Sequence, residues 1–185
     1  MPLASERMLG CQLWVNLPAK DKMTIPAYGD ITQDKIVVAT EENAIVRIVS
    51  GSYKGKNGLF EGKYVKVKYI DVDLAPDSTW TYTVTPNNET LFIYLLVETL
   101  AVNELLSDFE NKSCAVLFTS ADKDAAANDA VVVRSGNRGA RFVLLAAKPL
   151  REHVAWGGPI VMNTRQELEL AFDELDQGTF IKHKV

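Results

Sequence analysis

The chain has 185 residues, 47% of them hydrophobic and 24% charged, with a net charge of −4. That length and balance suit one globular domain with a sizeable core, and the acidic balance argues against nucleic acid as a whole-surface partner. No apolar run approaches the ~20 residues of a membrane-spanning helix, and the N-terminal MPLASERMLG lacks the basic-then-apolar order of a signal peptide.

Short β-rich runs then follow one another. Residues 11–17 (CQLWVNL) form a strand-like run stopped by Pro18, and the stretch around Pro26 and Gly29 is irregular. Residues 35–40 and 44–50 predict two β-branched strands about a polar turn. Four glycines in residues 51–62 predict a loop. Over residues 65–74, Val65, Val67 and Tyr69 alternate with Lys66 and Lys68, the pattern of a half-buried antiparallel strand. Residues 79–85 alternate threonine with Trp80, Tyr82 and Val84. Residues 91–103 predict two strands about a tight turn at Glu98-Thr99. After a short strand at 115–119 and an alanine-rich surface segment at 121–129, residues 130–134 and 140–147 predict a hairpin across 135–139. Thr164 and Glu167 have the spacing of a capping box. Leu168, Ala171, Phe172 and Leu175 then make one apolar helical face, with Gly178 as its stop. Many short strands and one terminal helix predict an all-β sandwich or small barrel.

Few residues carry recognisable chemistry. A mononuclear site of three imidazoles and a carboxylate exceeds the inventory, because the chain has two histidines, His153 and His183, and no H-x-H pair. No serine or cysteine sits in a nucleophile elbow. The stretch 51–58 mixes glycine and lysine without the order of a phosphate-binding loop. Lys54, Lys56, Lys63, Lys66 and Lys68 form a basic cluster, read either as a steering patch for an acidic partner or as one solvated strand face. Trp80, Tyr82, Phe92 and Tyr94 either pack a core or line a cavity. The residues therefore assign no catalytic group and no metal ligand. Cys11 and Cys114, far apart in apolar stretches, are expected to be buried free thiols. With no secretion signal they predict a cytoplasmic protein, and the sequons at Asn88 and Asn111 read as chance matches.

Residues 10–23, GCQLWVNLPAKDKM, and residues 142–164, FVLLAAKPLREHVAWGGPIVMNT, resemble the pirin family of two tandem cupin β-barrels. The first stretch is similar to the segment leaving the first barrel, the second to the end of the second barrel, and YIDVDLAPD at 69–77 to the second barrel's opening strand. The resemblance implies an all-β, cupin-type (double-stranded) β-barrel or β-sandwich with a C-terminal helix. It implies residues 1–34 as an N-terminal strand and connecting segment, and residues 35–185 as a pirin C-terminal-type cupin domain. Glu98-Thr99 departs from the glycine turn usual in the family.

The family's iron and dioxygenase chemistry belong to its first barrel, so the resemblance places no cofactor and no catalytic residue on this chain. It implies a non-catalytic domain acting through protein–protein interaction, as a co-regulator or scaffold. The alternative is a small-molecule-binding or quercetinase-like dioxygenase cupin whose metal site comes from a partner or from the first barrel. The run at 11–17 stands where the first barrel would cover it. Leu13, Trp14, Val15 and Leu17 are therefore expected to form an association strand, with a homodimer or a separate protein as partner.

Overall fold

Alternation of apolar side chains builds the larger part of the molecule. The computed structural model describes residues 9–84, 89–103, 108–111, 113–118 and 130–182, which divide into two units, residues 26–151 and residues 1–25 with 152–185. The first unit runs β1 (Val37–Thr40), β2 (Ala44–Ser50), β3 (Ser52–Tyr53), β4 (Lys56–Asn57), β5 (Lys68–Leu74), β6 (Thr79–Thr83), β7 (Thr90–Val102), β8 (Glu110–Asn111), β9 (Ala115–Phe118) and β10 (Ala130–Ala147). Eight of these form one antiparallel sheet in the order β1-β2-β5-β10-β7-β8, with β6 also on β10 and β9 on β7. The remaining two, β3 and β4, make a small hairpin inside the predicted loop.

Register places the core. Val46, Val72, Phe142 and Leu95 line up across β2, β5, β10 and β7, and Ile48, Ile70, Leu144 and Ile93 make the next inward row. All eight are at most 1% exposed. Outward positions of the same strands carry ions: Arg141 makes two hydrogen bonds to Asp71, at 3.1 and 2.7 Å, and Arg47 lies 3.8 Å from both Asp71 and Asp73. The inward face of β5 is thus Ile70, Val72 and Leu74, not Val65, Val67 and Tyr69. The strand starts only at Lys68, so the alternation at 65–69 lies mostly ahead of it.

Two predicted hairpins are instead continuous bent strands. β7 and β10 run 13 and 18 residues without reversal, and their mutual register slips between Ser135 and Ala140. Glu98, at φ 66°, supplies the left-handed residue on β7, and Gly139, at φ 83°, supplies it on β10. A β-bulge uses the same positive-φ chemistry as a turn, which is why sequence alone read both places as reversals. Gly139 cannot be anything larger, since a Cβ there would stand 2.7 Å from the Leu74 carbonyl oxygen. The buried Ser135 fixes the corner: its hydroxyl donates to the Ala75 carbonyl at 2.5 Å and accepts from the Ser78 amide at 3.0 Å. Ahead of this corner β10 pairs with β6, and past it with β5, the segment that precedes β6 in sequence. One long strand therefore serves two, and the sheet can fold over its own core.

The second unit contains a 3-10 turn at Ala19–Asp21, β11 (Ala155–Gly157), β12 (Ile160–Met162) and α1 (Arg165–Asp176). The capping box predicted for α1 is present: the Glu167 amide donates to Thr164 Oγ1 at 3.2 Å, and the Thr164 amide to Glu167 Oε2 at 2.8 Å. Of the expected apolar face, Ala171 is buried and Leu168 packs against the small cluster of Ile160, Met162 and Ala171, whereas Phe172 and Leu175 are exposed. Neither cysteine is buried: Cys11 is exposed and Cys114 half-buried, both free. The apolar neighbours that suggested burial of Cys11 are themselves on the surface. The alanine-rich segment at 121–129, His183 and the Asn88 sequon lie outside the described residues.

Candidate functional site

The run at 11–17 behaves as an apolar surface but not as a strand. Residues 9–18 have no strand pairing, and Leu13, Trp14 and Val15 are exposed, with Trp14 55% open. Leu17 is half-buried. Pro18 removes a backbone donor just where pairing would extend, and the segment is held by side chains instead. The Lys22 ammonium donates to Asn16 Oδ1 at 2.5 Å and to the Val161 carbonyl at 3.1 Å, and the Ala19 amide donates to Glu152 Oε2 at 2.7 Å. Burial holds Lys22 below the ordinary lysine value, against the opposing pull of Glu152 and Glu167.

Fixed in this way, the run forms one wall of a groove of about 720 Å³ whose other wall is the β11–β12 hairpin and Phe180. Trp14 and Trp156 meet edge to face at 6.4 Å across it. Trp156 is 70% exposed, and its indole N–H donates to the Gly158 carbonyl at 2.8 Å. The structure therefore brings Leu13, Trp14, Val15 and Leu17 together with Trp156, a residue the sequence does not single out. Its neighbour Val154 is also exposed.

The other candidates resolve into ordinary roles. Each lysine of the basic cluster has a partner: Lys54 bonds Glu41 at 2.7 Å, Lys56 the Val38 carbonyl at 3.0 Å, Lys66 pairs with Glu61 at 2.9 Å and Lys68 with Glu89 at 2.9 Å, while Lys63 lies 5.1 Å over the Tyr64 ring. Three of the five are thus matched by a carboxylate, which leaves little of the cluster's charge to steer a partner. Inside the sheet, Trp80 and Tyr82 stack with Tyr53 and each other at 5.8 to 6.4 Å, and Phe142 meets Trp80 at 5.5 Å. These rings fill the interior. Phe92 and Tyr94 sit on the opposite, half-buried face of β7, with Leu91, Ile93 and Leu95 inward.

The iron of the resembled family can be tested against these side chains. His153 is exposed and shows only its carbonyl to Asn163, at 2.9 Å. Among the described residues no three His, Cys, Asp or Glu side chains converge as a metal would need. The groups described do not fit a three-imidazole site, and no step is derived through one.

Residues 69–181 match the family model of the pirin C-terminal cupin domain. The chain belongs to the pirin family. It is 33% identical to a Thermoplasma acidophilum protein named as a candidate quercetin 2,3-dioxygenase, an alignment covering 95% of this chain and 66% of that protein. It is equally 33% identical to a pirin-like protein of Caulobacter vibrioides, covering 94% and 59%. The solved quercetin 2,3-dioxygenase of Acinetobacter baumannii superposes with a TM-score of 0.76 at 25% identity, over 90% of this chain and 55% of that one. This pirin-type chain thus spans between 55% and 66% of the length of these relatives. The expected cupin fold is the observed one. No helix among the described residues is long and apolar enough to cross a membrane.

Proposed function

We propose that this pirin-type cupin domain works by protein–protein association, with the groove around Trp14 and Trp156 as its docking face and a second copy of the chain as the first partner to test. The observation that carries this reading is a pair of exposed tryptophans set in an apolar wall that side-chain hydrogen bonds hold open. Trp is the residue most enriched at binding hot spots, where its large apolar area is desolvated with little loss of side-chain freedom. Such a face left in water favours association. The domain itself performs no chemistry in this reading and serves as scaffold or co-regulator. Sedimentation velocity on the purified chain checks it: a dimer is expected, and Trp14→Ser is expected to give a monomer with an unchanged circular dichroism spectrum. A wild-type monomer at every accessible concentration overturns the homodimer and leaves a separate protein as the only form of the proposal.

A second reading rests on the names of the relatives. A flavonol dioxygenase function would need a metal held by other chain, since the described residues here do not assemble one. Turnover of quercetin by the purified chain, with near-stoichiometric iron by elemental mass spectrometry, would put this reading first.

A further inference from the structure

A second cavity lies in the sheet unit, remote in sequence from the tryptophans of the groove. It measures about 540 Å³, within the ~300–1,000 Å³ of ordinary small-molecule sites. Its polar walls are Ser52, Asn57, Glu61, Lys66, Lys68 and Glu89. The Lys68–Glu89 pair, bonded at 2.9 Å, is only 16% and 13% exposed at the two side chains. Burial is the largest single influence and pulls the Lys68 ammonium down, yet the hydrogen bonds and charges of Glu89 and Tyr82 together outweigh it and leave its pKa above the ordinary lysine value. A half-buried ion pair is a poor source of stability, because desolvation offsets its attraction. Its position on a cavity wall gives it a second use.

The cavity is also preformed. Gly51 donates its amide to the Phe60 carbonyl at 3.1 Å and accepts from the Gly58 amide at 2.8 Å, while the Ser50 hydroxyl donates to the Val67 carbonyl at 2.7 Å. Gly51, at φ 82°, approaches Lys68 so closely that a Cβ would stand 2.9 Å from its Cγ. Only glycine lets the loop lie against the lysine stem at that distance. The loop that frames the site therefore needs no ordering when a ligand arrives, which favours binding.

We propose that this cavity binds a neutral ligand carrying adjacent hydroxyl groups, with Lys68 and Glu89 as its recognition pair. Charge decides the class. The lining holds two cations and two anions, and each cation already lies 2.9 Å from its own carboxylate. An anionic or cationic ligand would have to break a pair and strand the other member at a cost. A hydroxyl both donates and accepts. Two neighbouring hydroxyls match a donor-only ammonium beside an acceptor-only carboxylate without separating them, and Asn57 and Ser52 add one mixed partner each. A sugar and a catechol share this chemistry. The site is separate from the proposed docking face, so either can fail without the other.

The test uses the full chain and four probes: D-glucose, catechol, inorganic phosphate and cyclohexanol, read by isothermal titration and saturation-transfer NMR. Binding of glucose or catechol is expected, unchanged between low and high salt because no net charge is exchanged. Glucose alone binding assigns a saccharide, catechol alone an aromatic diol. Glu89→Gln is expected to weaken it about tenfold, one charge-assisted hydrogen bond's worth, and Asn57→Ala, which removes a neutral partner, about fivefold, while Trp14→Ser leaves it unchanged. Absence of binding by both diols overturns the proposal. So does phosphate or cyclohexanol binding more tightly than either, or affinity that neither variant changes in folded protein.

Discussion

The two units of this chain treat apolar side chains in opposite ways. In residues 26–151, eight inward residues of four strands are at most 1% exposed, and the aromatic rings stack on one another. Among the described residues of the unit 1–25 and 152–185, the buried cluster is three residues, and two tryptophans stand 55% and 70% open. Stability therefore belongs to the sheet, and the proposed docking face to the smaller unit. The largest expected break in this contrast is Phe142→Ala, which removes a fully buried ring from the inward row and should cost about 3–5 kcal/mol in chemical denaturation. Trp156→Ala should cost less than about 1 kcal/mol in the same assay, and should weaken the proposed self-association as Trp14→Ser is expected to. Equal losses for the two variants would erase the contrast.

Much of the sheet was legible because alternation reports burial directly. Trp80 and Tyr82, between threonines, are buried with the threonines outward, and the helix cap at Thr164 and Glu167 is formed as its spacing requires. The bent corner was not legible. Glu98 and Gly139 need positive φ whether the chain reverses or merely bulges, and only pairing with a distant strand decides between the two. The candidate site was legible by half. An apolar run ending in proline marks one wall, but its facing wall lies some 140 residues later, and a lone Trp before Gly157-Gly158 gives no hint that it meets Trp14. The hydrogen bonds from Lys22 that replace strand pairing involve a carbonyl of β12 and are equally invisible in sequence.

Proton binding sharpens the contrast next. In the sheet unit a chain of hydrogen bonds runs from core to surface: the Trp80 indole donates to the Tyr53 hydroxyl at 2.9 Å, which donates to Glu41 at 2.7 Å, beside Lys54 on the same oxygen at 2.7 Å. Burial pushes the Glu41 carboxyl up, but the hydrogen bonds from Lys54 and Tyr53 outweigh it, and its pKa lies below the ordinary value. Glu167, in the helix cap, is held low by backbone hydrogen bonds from Thr164 and Asn163. For both, the unfolded chain binds the proton first. Their stabilisation is complete above the ordinary glutamate range and lost as pH falls through the lower folded value. Acid should therefore loosen both units. Alkali should loosen the sheet unit alone: burial and then Glu41 push Tyr53 up to about 12, so its contribution is present below the ordinary tyrosine pKa and is lost as pH rises from there toward the folded value. Lys22 is shifted down by burial, so raising the pH through its range removes no stabilisation from the small unit. Peptide-resolved hydrogen exchange across pH checks this: protection at 44–53 and 79–83 should fall on both sides, and protection along α1 on the acid side only. Glu41→Gln should flatten the acid limb of the sheet peptides.

The smallest effect, and the only stabilising one, is expected at the corner that sequence misread. Glu98 holds φ 66° in the middle of β7, a conformation that costs a non-glycine residue roughly 1–2 kcal/mol. Its one evident compensation is the ion pair with Arg138 at 2.7 Å, whose arginine side chain is 76% exposed, so that pair is worth at most about 1 kcal/mol. Glu98→Gly releases the backbone strain and loses the pair, and glycine adds chain entropy to the unfolded state. The net change should be a gain of about 0.5 kcal/mol. Glu98→Ala keeps the strain and loses the pair, so it should lose a similar amount. The two variants thus move stability in opposite directions from one position. If both destabilise equally in denaturant melts, the ion pair rather than the backbone governs the bulge, and the bend that lets β7 and β10 close over the core depends on charge at its surface.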